Sequence, residues 1–173
     1  FFFFYRYMKV ILVIWCFCFS FSSVAQIEGG SLTYKDLKDL AGNWAGTMVY
    51  TAERSQVTYQ SKLEIVDMKD SLMFNCIQTG PDGKQVIEKY AMYIYDNGNK
   101  LRFDSNEFEI VAIRRRGVRL TVIIEREGVD NYRSADFQQT IIIGPANLNI
   151  ERKIRYTDMV DYFIRSRTSL TKK

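Results

Sequence analysis

Arg152 is the residue whose position most directly suggests binding chemistry. In an alternating segment, Ile150 and Ile154 flank it on the same predicted face. Because a buried guanidinium must be paired or stacked, Arg152 needs a partner inside the fold. That partner is either the carboxylate of a ligand held in a cavity or a structural group, the ring of Trp44 or the inward acid Glu88. The structural partner is the simpler interpretation.

The sequence contains few side chains that could act in catalysis. It contains no histidine, which removes His-based triads, His metal ligands and the usual proton shuttle. The acids Asp158 and Asp161 flank Tyr156 and Tyr162 near a predicted turn, but they form no convincing acid–base pair. We therefore predict a protein that is not an enzyme, with no catalytic residue, no metal and no cofactor.

Two further groups of reactive side chains have simpler structural explanations. Arg114, Arg115, Arg116 and Arg119 surround a predicted turn, which is typical of a solvated hairpin tip rather than an anion-binding loop. Cys76 alternates with apolar residues, which indicates a buried small side chain rather than a reactive thiol.

The charge balance argues against a nucleic-acid partner. The chain has 24 Lys and Arg against 20 Asp and Glu, a net charge of +4, and Arg6 and Lys9 lie in the N-terminal segment. A domain this balanced lacks the strongly basic surface that nucleic-acid binding requires.

Residues 1–25 carry the pattern of a secretory signal peptide. Arg6 and Lys9 supply the positive charge, residues 10–19 are an uninterrupted apolar run, and small residues follow up to Ala25. This order is what export and cleavage by a signal peptidase require. We expect cleavage after Ala25 and a periplasmic or secreted protein.

The start of the chain leaves two points open. Residues 1–7 precede Met8 and are interpreted as an upstream extension of the reading frame. A retained membrane anchor is the alternative to cleavage, in which case the signal segment alone contacts the membrane. After cleavage, residues 26–173 form one domain, and Cys76, as their only cysteine, has no disulfide partner.

Most of the mature chain alternates between apolar and polar residues with period two, which predicts strands with one buried and one wet face. Short turn sequences rich in Gly, Asn, Asp and Pro separate them, and such links are too short for parallel crossovers. The fold class is therefore all-β. An antiparallel up-and-down barrel of 8–10 strands is predicted because closure removes exposed edges, and a sandwich is the alternative. The predicted strands are 44–52, 56–68, 71–79, 85–95, 100–104, 107–115, 118–126, 135–143, 148–157 and 160–170.

One short helix is predicted before the first strand. Thr33 and Asp36 have the spacing of a helix start, and Tyr34, Leu37 and Leu40 share one helical face.

The segment from Leu40 to Tyr50 resembles the start of a lipocalin or calycin barrel. In that family a short helix precedes a Gly-x-Trp motif on the first strand, and here Gly42-Asn43-Trp44 follows the predicted helix. The resemblance implies that Trp44 closes one end of the barrel. It also implies that an arginine of the last strands packs on the ring: Arg165 or Arg167, with Arg152 one strand earlier. The structural plug is accordingly expected to be Trp44 with Arg167.

The resemblance further implies an exported binding protein of this lipocalin-like type. The expected partner is a small hydrophobic or amphipathic molecule inside the barrel. The expected binding residues are Arg152, Tyr156, Arg165 and Tyr90. The alternative is an envelope-accessory or protein-interaction β-domain with a filled core and no small ligand.

Overall fold

The structure, a computed structural model, describes residues 30–52 and 55–173. The predicted signal peptide lies outside these residues. A short helix, α1 (Tyr34–Leu37), continues as one turn of 3-10 helix (Lys38–Leu40). Ten strands follow, namely β1 Gly42–Ala52, β2 Ser55–Asp67, β3 Ser71–Thr79, β4 Gln85–Tyr95, β5 Lys100–Phe103, β6 Asn106–Arg116, β7 Arg119–Asp130, β8 Arg133–Ile143, β9 Asn147–Tyr156 and β10 Phe163–Lys172.

The strands form a closed antiparallel barrel. Each strand pairs with the next along the chain, and β10 pairs back onto β1 from Trp44↔Lys172 to Tyr50↔Ser166. The predicted up-and-down barrel with a short N-terminal helix is therefore confirmed, and closure rules out the sandwich. The predicted strands match the observed ones closely, with two exceptions. β7 continues past the predicted end at 126 to Asp130, because it stays paired with β8 up to Arg133. β10 begins and ends later than predicted, because its last residues pair with the start of β9.

The two ends of the barrel differ. Because the strands alternate in direction, successive connections lie at opposite ends of the barrel. The end that holds α1 is here called the closed end, and it also carries the β2–β3, β4–β5, β6–β7 and β8–β9 connections. The other five hairpins lie at the opposite end, here called the open end. The main apolar core fills the closed end, where Leu32, Leu37, Leu40 and Trp44 pack against inward residues of the strands.

The segment before α1 is fastened to the closed end. The amide of Leu32 donates to the carbonyl of Gly98, 3.1 Å away, in the β4–β5 connection. Gly98 has a φ of +85°, and a Cβ there would lie 2.3 Å from the Leu32 carbonyl oxygen. Only glycine permits this close approach.

A smaller apolar cluster lies between β8, β9 and β10 near the open end, formed by Ala135, Phe137, Ile154 and Tyr156 with Phe163 against them. No helix in the part of the chain described has the length and apolar character needed to cross a membrane.

Candidate functional site

A cavity of about 670 Å³ lies inside the barrel. It extends from Leu40, at its floor near the closed end, to Asp104 and Asn106 at the β5–β6 hairpin of the open end. Space remains because several inward side chains at mid-barrel are small, namely Ser61, Cys76, Ser166 and Thr168. The apolar core therefore ends part-way along the barrel.

One wall of the cavity is aromatic. The rings of Phe74 and Tyr90 stack with centroids 5.0 Å apart, and Phe103 meets both edge-on. Phe108 extends this wall against Phe103, with centroids 5.6 Å apart. Tyr90, one of the predicted binding residues, therefore lines the cavity. Burial raises the pKa of its phenol, so the hydroxyl stays protonated and can act as a donor.

The adjoining wall, on β7, β8 and β9, carries two arginines and a glutamine. Arg152, on β9, lines the cavity, but the residue is exposed there, so the expectation of a buried arginine was wrong. The side-chain amide of Gln139 is oriented with its oxygen toward Arg152. The Nε and Nη2 atoms of Arg152 both donate hydrogen bonds to that oxygen, each at 3.0 Å. Neither structural partner considered for Arg152 is used: within residues 30–52 and 55–173 the cation on Trp44 is Lys172, and Glu88 forms no ion pair.

Arg126 is a cavity residue that the sequence reasoning missed. Its guanidinium carbon lies 4.3 Å from the ring centroid of Phe137 and 5.3 Å from that of Phe108. Burial, and then the positive charge of Arg152, lowers the pKa of Arg126. The signal was present in the sequence, because Arg126 continues the apolar row of Val122 and Ile124, just as Arg152 continues that of Ile150.

Arg165 and Tyr156 do not belong to the cavity lining formed by the described residues. Arg165 is 3% exposed and forms an ion pair with Asp130. Its Nη2 also donates to the Tyr156 hydroxyl (2.8 Å), and its Nη1 donates to the carbonyl of Thr51 (3.1 Å). The Tyr156 hydroxyl donates in turn to Asp130 (2.6 Å), and this bond is the first cause of its raised pKa. Both predicted binding residues are thus occupied by structural contacts.

This outcome has a geometric cause. A register shift between Ile164 and Ser166 on β10 interrupts the regular alternation of the strand. Ser166 and Thr168 face the cavity beyond the shift, whereas Arg165 turns toward Asp130 at the barrel wall. Arg165, which a regular strand would have allowed in the site, therefore lies outside the cavity lining.

Trp44 closes one end of the barrel, but Arg167 is not its partner. The ring is 2% exposed, and its Nε1 donates to the carbonyl of Leu40 (2.8 Å). The cation over the ring is Lys172, whose Nζ lies 5.3 Å from the centroid. Arg167 lies on the outer face, where its Nε binds Glu151 at 2.7 Å. The expectation for Arg167 was wrong because Trp44 pairs with Lys172, whereas Arg167 pairs with Val49, which belongs to the opposite face.

Cys76 and the arginines near Gly117 behave largely as structural residues. Cys76 is a buried, free cysteine, and burial raises the pKa of its thiol. Its side chain lines the cavity beside Ser61. Among the clustered arginines, Arg115 binds Asp36 at 3.0 Å and so joins β6 to α1.

Several solved structures resemble the chain in fold at low sequence identity. Rv2717c from M. tuberculosis matches with a TM-score of 0.59 and 12% identity, over 80% of this chain and 96% of that one. The S-type phycobiliprotein lyase CPES from Guillardia theta matches with a TM-score of 0.56 and 10% identity, over 80% and 91%. No protein-family profile and no curated protein sequence matches the chain. The predicted lipocalin-like fold is confirmed.

Proposed function

We propose that the protein binds a small hydrophobic or amphipathic molecule in the barrel cavity. The observation that carries this proposal is the cavity itself: about 670 Å³, lined by an aromatic wall and by two arginines. Ligand pockets for small molecules commonly have volumes of roughly 300–1,000 Å³, apolar linings and a few polar groups that orient the ligand. The lipocalin-like fold supports the proposal, since barrels of this kind hold one small ligand when side chains leave room.

The alternative, a protein-interaction domain without a small ligand, requires a filled core. The closed end is filled, but the small side chains of Ser61, Cys76, Ser166 and Thr168 leave the middle of the barrel unfilled. Maintaining such a cavity costs packing energy, because its lining atoms lack contacts on one side. This cost favours a function for the cavity.

The test is the titration of an uncharged fluorescent probe, N-phenyl-1-naphthylamine, against purified protein. Thr168 and Ser169 on β10 provide a matched pair, because Thr168 lines the cavity and Ser169 is exposed outside. We expect saturable binding by the wild type and by Ser169→Phe. Thr168→Phe places a ring in the cavity, where it occupies space that the probe would fill. Binding of the probe should weaken at least about tenfold, which corresponds to a loss of about one to two kcal/mol of apolar contact between probe and cavity. No saturable binding by the wild type, or equal binding by all three proteins, would refute the proposal.

The proposed site of action is outside the cytoplasm, after removal of residues 1–25. The support is the order of charged, apolar and small residues up to Ala25. Expression in a Gram-negative host followed by N-terminal sequencing should give Gln26 as the first residue. Full-length protein in the inner-membrane fraction would instead support the retained anchor.

A further inference from the structure

We propose that the cavity ligand carries an anionic head group, a carboxylate or a phosphate, bound by Arg126 and Arg152 together. This inference rests on the proposed binding function and specifies the class of ligand. Arg126 on β7 and Arg152 on β9 both line the cavity, with Gln139 on β8 between them. The three side chains therefore form one polar patch across three neighbouring strands.

The charges around the cavity point to an anion. Among the described residues, five other arginines form ion pairs with carboxylates, including Arg133 and Arg167 on the exposed surface. In residues 30–52 and 55–173, no carboxylate oxygen lies within 4.0 Å of a side-chain nitrogen of Arg126 or Arg152. Glu88 and Asp104 also line the cavity, but both are exposed and neither forms an ion pair with Arg126 or Arg152. Asp104 instead accepts a hydrogen bond from the amide of Ala91 (3.0 Å). The half-buried Arg126 and the exposed Arg152 thus share one cavity, and neither is paired with a carboxylate of the described residues.

The hydrogen bonding of Arg126 also points to an anionic ligand. The Nε atom of Arg126 is buried and has no partner among the described residues, and its Nη1 donates only to the Glu127 carbonyl (3.2 Å). Buried donors are almost always satisfied in folded proteins, so an unsatisfied one at a cavity wall needs an explanation. An oxyanion beside the guanidinium would supply the acceptor and form a charge-assisted hydrogen bond.

The two guanidinium groups are held in place by uncharged neighbours. Arg126 is stacked on Phe137 and flanked by Phe108, while the Gln139 oxygen fixes Arg152 through two of its nitrogens. These contacts orient the planes without neutralising the charge. The repulsion between the two groups, which contributes to the lowered pKa of Arg126, is relieved when an anion lies between them.

The position of the patch also indicates how the ligand is oriented. Gln139 on β8 pairs with Arg152 at mid-barrel. Arg126 pairs with Phe137, which lies two residues nearer the open end on the same strand as Gln139. The aromatic wall of Phe74, Tyr90, Phe103 and Phe108 adjoins this patch, because Phe108 on β6 lies beside Arg126 on β7. A molecule with one anionic group and an apolar body would place the anion on the arginines and the body against the rings.

The experiment compares three probes with the same twelve-carbon chain: dodecanol, dodecanoate and dodecyl phosphate. Each competes with bound N-phenyl-1-naphthylamine at fixed pH and salt. We expect the wild type to bind at least one anion about tenfold to a hundredfold more tightly than dodecanol, the effect of hydrogen bonds to a charged group. The preferred anion distinguishes a carboxylate from a phosphate ligand.

Arg126→Met and Arg152→Met keep most of the side-chain volume and remove the charge. Each should weaken binding of the preferred anion at least about tenfold and leave the affinities for dodecanol and N-phenyl-1-naphthylamine within about twofold. Arg114→Met is the control, since Arg114 is an exposed residue of β6, and it should change none of the affinities. The uncharged probe also shows that each variant retains a folded cavity.

The failures of the two proposals are distinguishable. If N-phenyl-1-naphthylamine does not bind the wild type, the binding function fails and the head-group inference fails with it. If that probe binds, but dodecanol binds as tightly as both anions, only the head-group inference is overturned. A loss of affinity for all probes alike in both arginine variants would likewise overturn it, because the arginines would then only maintain the shape of the cavity.

Discussion

The inward arginines of this barrel have two different environments, and the environment determines what each can do. Arg165 is enclosed by Asp130, Tyr156 and the Thr51 carbonyl, so its charge is balanced by the protein itself. Arg126 and Arg152 lie at the cavity wall, where aromatic rings and an amide hold them. The first kind of site contributes to stability, whereas the second can bind an anion.

Removing Arg165 should destabilise the protein strongly. Its side chain is 4% exposed and that of Asp130 is 17% exposed, so Arg165→Met leaves a largely buried carboxylate without its counter-charge. We expect a loss of about 3 kcal/mol in the free energy of unfolding, measured by urea denaturation at neutral pH.

Arg167→Met is the control for Arg165, since both residues lie on β10 and both form an ion pair. The Arg167 side chain is 61% exposed, and an exposed ion pair of this kind contributes less than about 1 kcal/mol. Equal losses for the two variants would show that the Arg165 pair is not a buried structural contact.

Among the elements, α1 has a clear local sequence signal but only four residues. Four residues are too short for a stable isolated helix, so its tertiary contacts must hold it. Asp36 accepts hydrogen bonds from the Thr33 amide (2.8 Å) and hydroxyl (2.7 Å), and it binds Arg115 on β6. Tyr34 donates to Asp67 at the end of β2, and burial first, then this bond, raises the pKa of Tyr34 to about 12. The helix is thus tied to the closed end from two sides.

The contribution of Asp36 should depend on pH. Partial burial by itself would raise the pKa of its carboxyl, but the hydrogen bonds from Thr33 and Arg115 outweigh burial and lower the pKa below its usual value of 3.8. A group whose pKa is lowered by folding stabilises the protein above its unfolded pKa, and this stabilisation disappears as the pH falls through the folded value. Asp36→Asn should therefore cost about 1 kcal/mol at neutral pH, as loss of an N-terminal cap does.

The measurement is urea unfolding of wild type and Asp36→Asn across a pH series. The difference should stay constant from pH 7 down to about pH 4 and shrink below it, because protonation removes the carboxylate from the wild type as well. Asp39→Asn, on the exposed side of the following turn, is the control and should match the wild type throughout. A difference that persists unchanged at low pH would show that the charge of Asp36 is not what stabilises α1.

At the scale of the whole molecule, the contact between β1 and β10 is what converts the meander into a barrel. The two strands pair over seven consecutive positions, from Trp44 with Lys172 to Tyr50 with Ser166. Gly46 lies in this seam opposite Leu170, where a Cβ would lie 2.0 Å from the carbonyl oxygen of Ser169. The obstacle is backbone, so no side-chain rotation can relieve it.

Gly46→Ala should therefore force the seam apart. We expect a loss of at least about 2 kcal/mol in the free energy of unfolding, together with weaker binding of N-phenyl-1-naphthylamine, because β1 and β10 both line the cavity. Gly144→Ala is the control, since a Cβ there would meet its nearest atom at an ordinary 3.6 Å. If both variants are as stable as the wild type, close approach at Gly46 is not required for closure.

The strands and their order could be predicted from the sequence because they depend on local properties. Alternation along segments such as 118–126 and 148–157 reports which face is buried, and the turn residues between them limit the connections to hairpins. The helix start at Thr33 and Asp36 is equally local, and the structure confirms it. The end of β7 and both ends of β10 were less accurate, because they depend on pairing with the neighbouring strands β8 and β9.

The candidate site was only partly predictable. Arg152 and Tyr90 were identified because a charged or aromatic residue in an inward row is visible in the sequence, and Arg126 could have been found by the same criterion. Arg165 and Tyr156 satisfy that criterion too, yet they contact Asp130, 35 and 26 residues away along the chain. The choice of Lys172 over Arg167 at Trp44 likewise depends on the register between the first and last strands.

By itself, the sequence determined an all-β meander with a capped helix and inward rows of apolar residues, since short-range periodicity and turn chemistry encode these features. Only the tertiary structure decided that the core ends part-way along the barrel and that Arg126 and Arg152 share the cavity beyond it. The physical reason is closure: the residues that meet across a barrel interior are set by strand register and by the sum of side-chain volumes. Neither quantity belongs to any single segment of the chain.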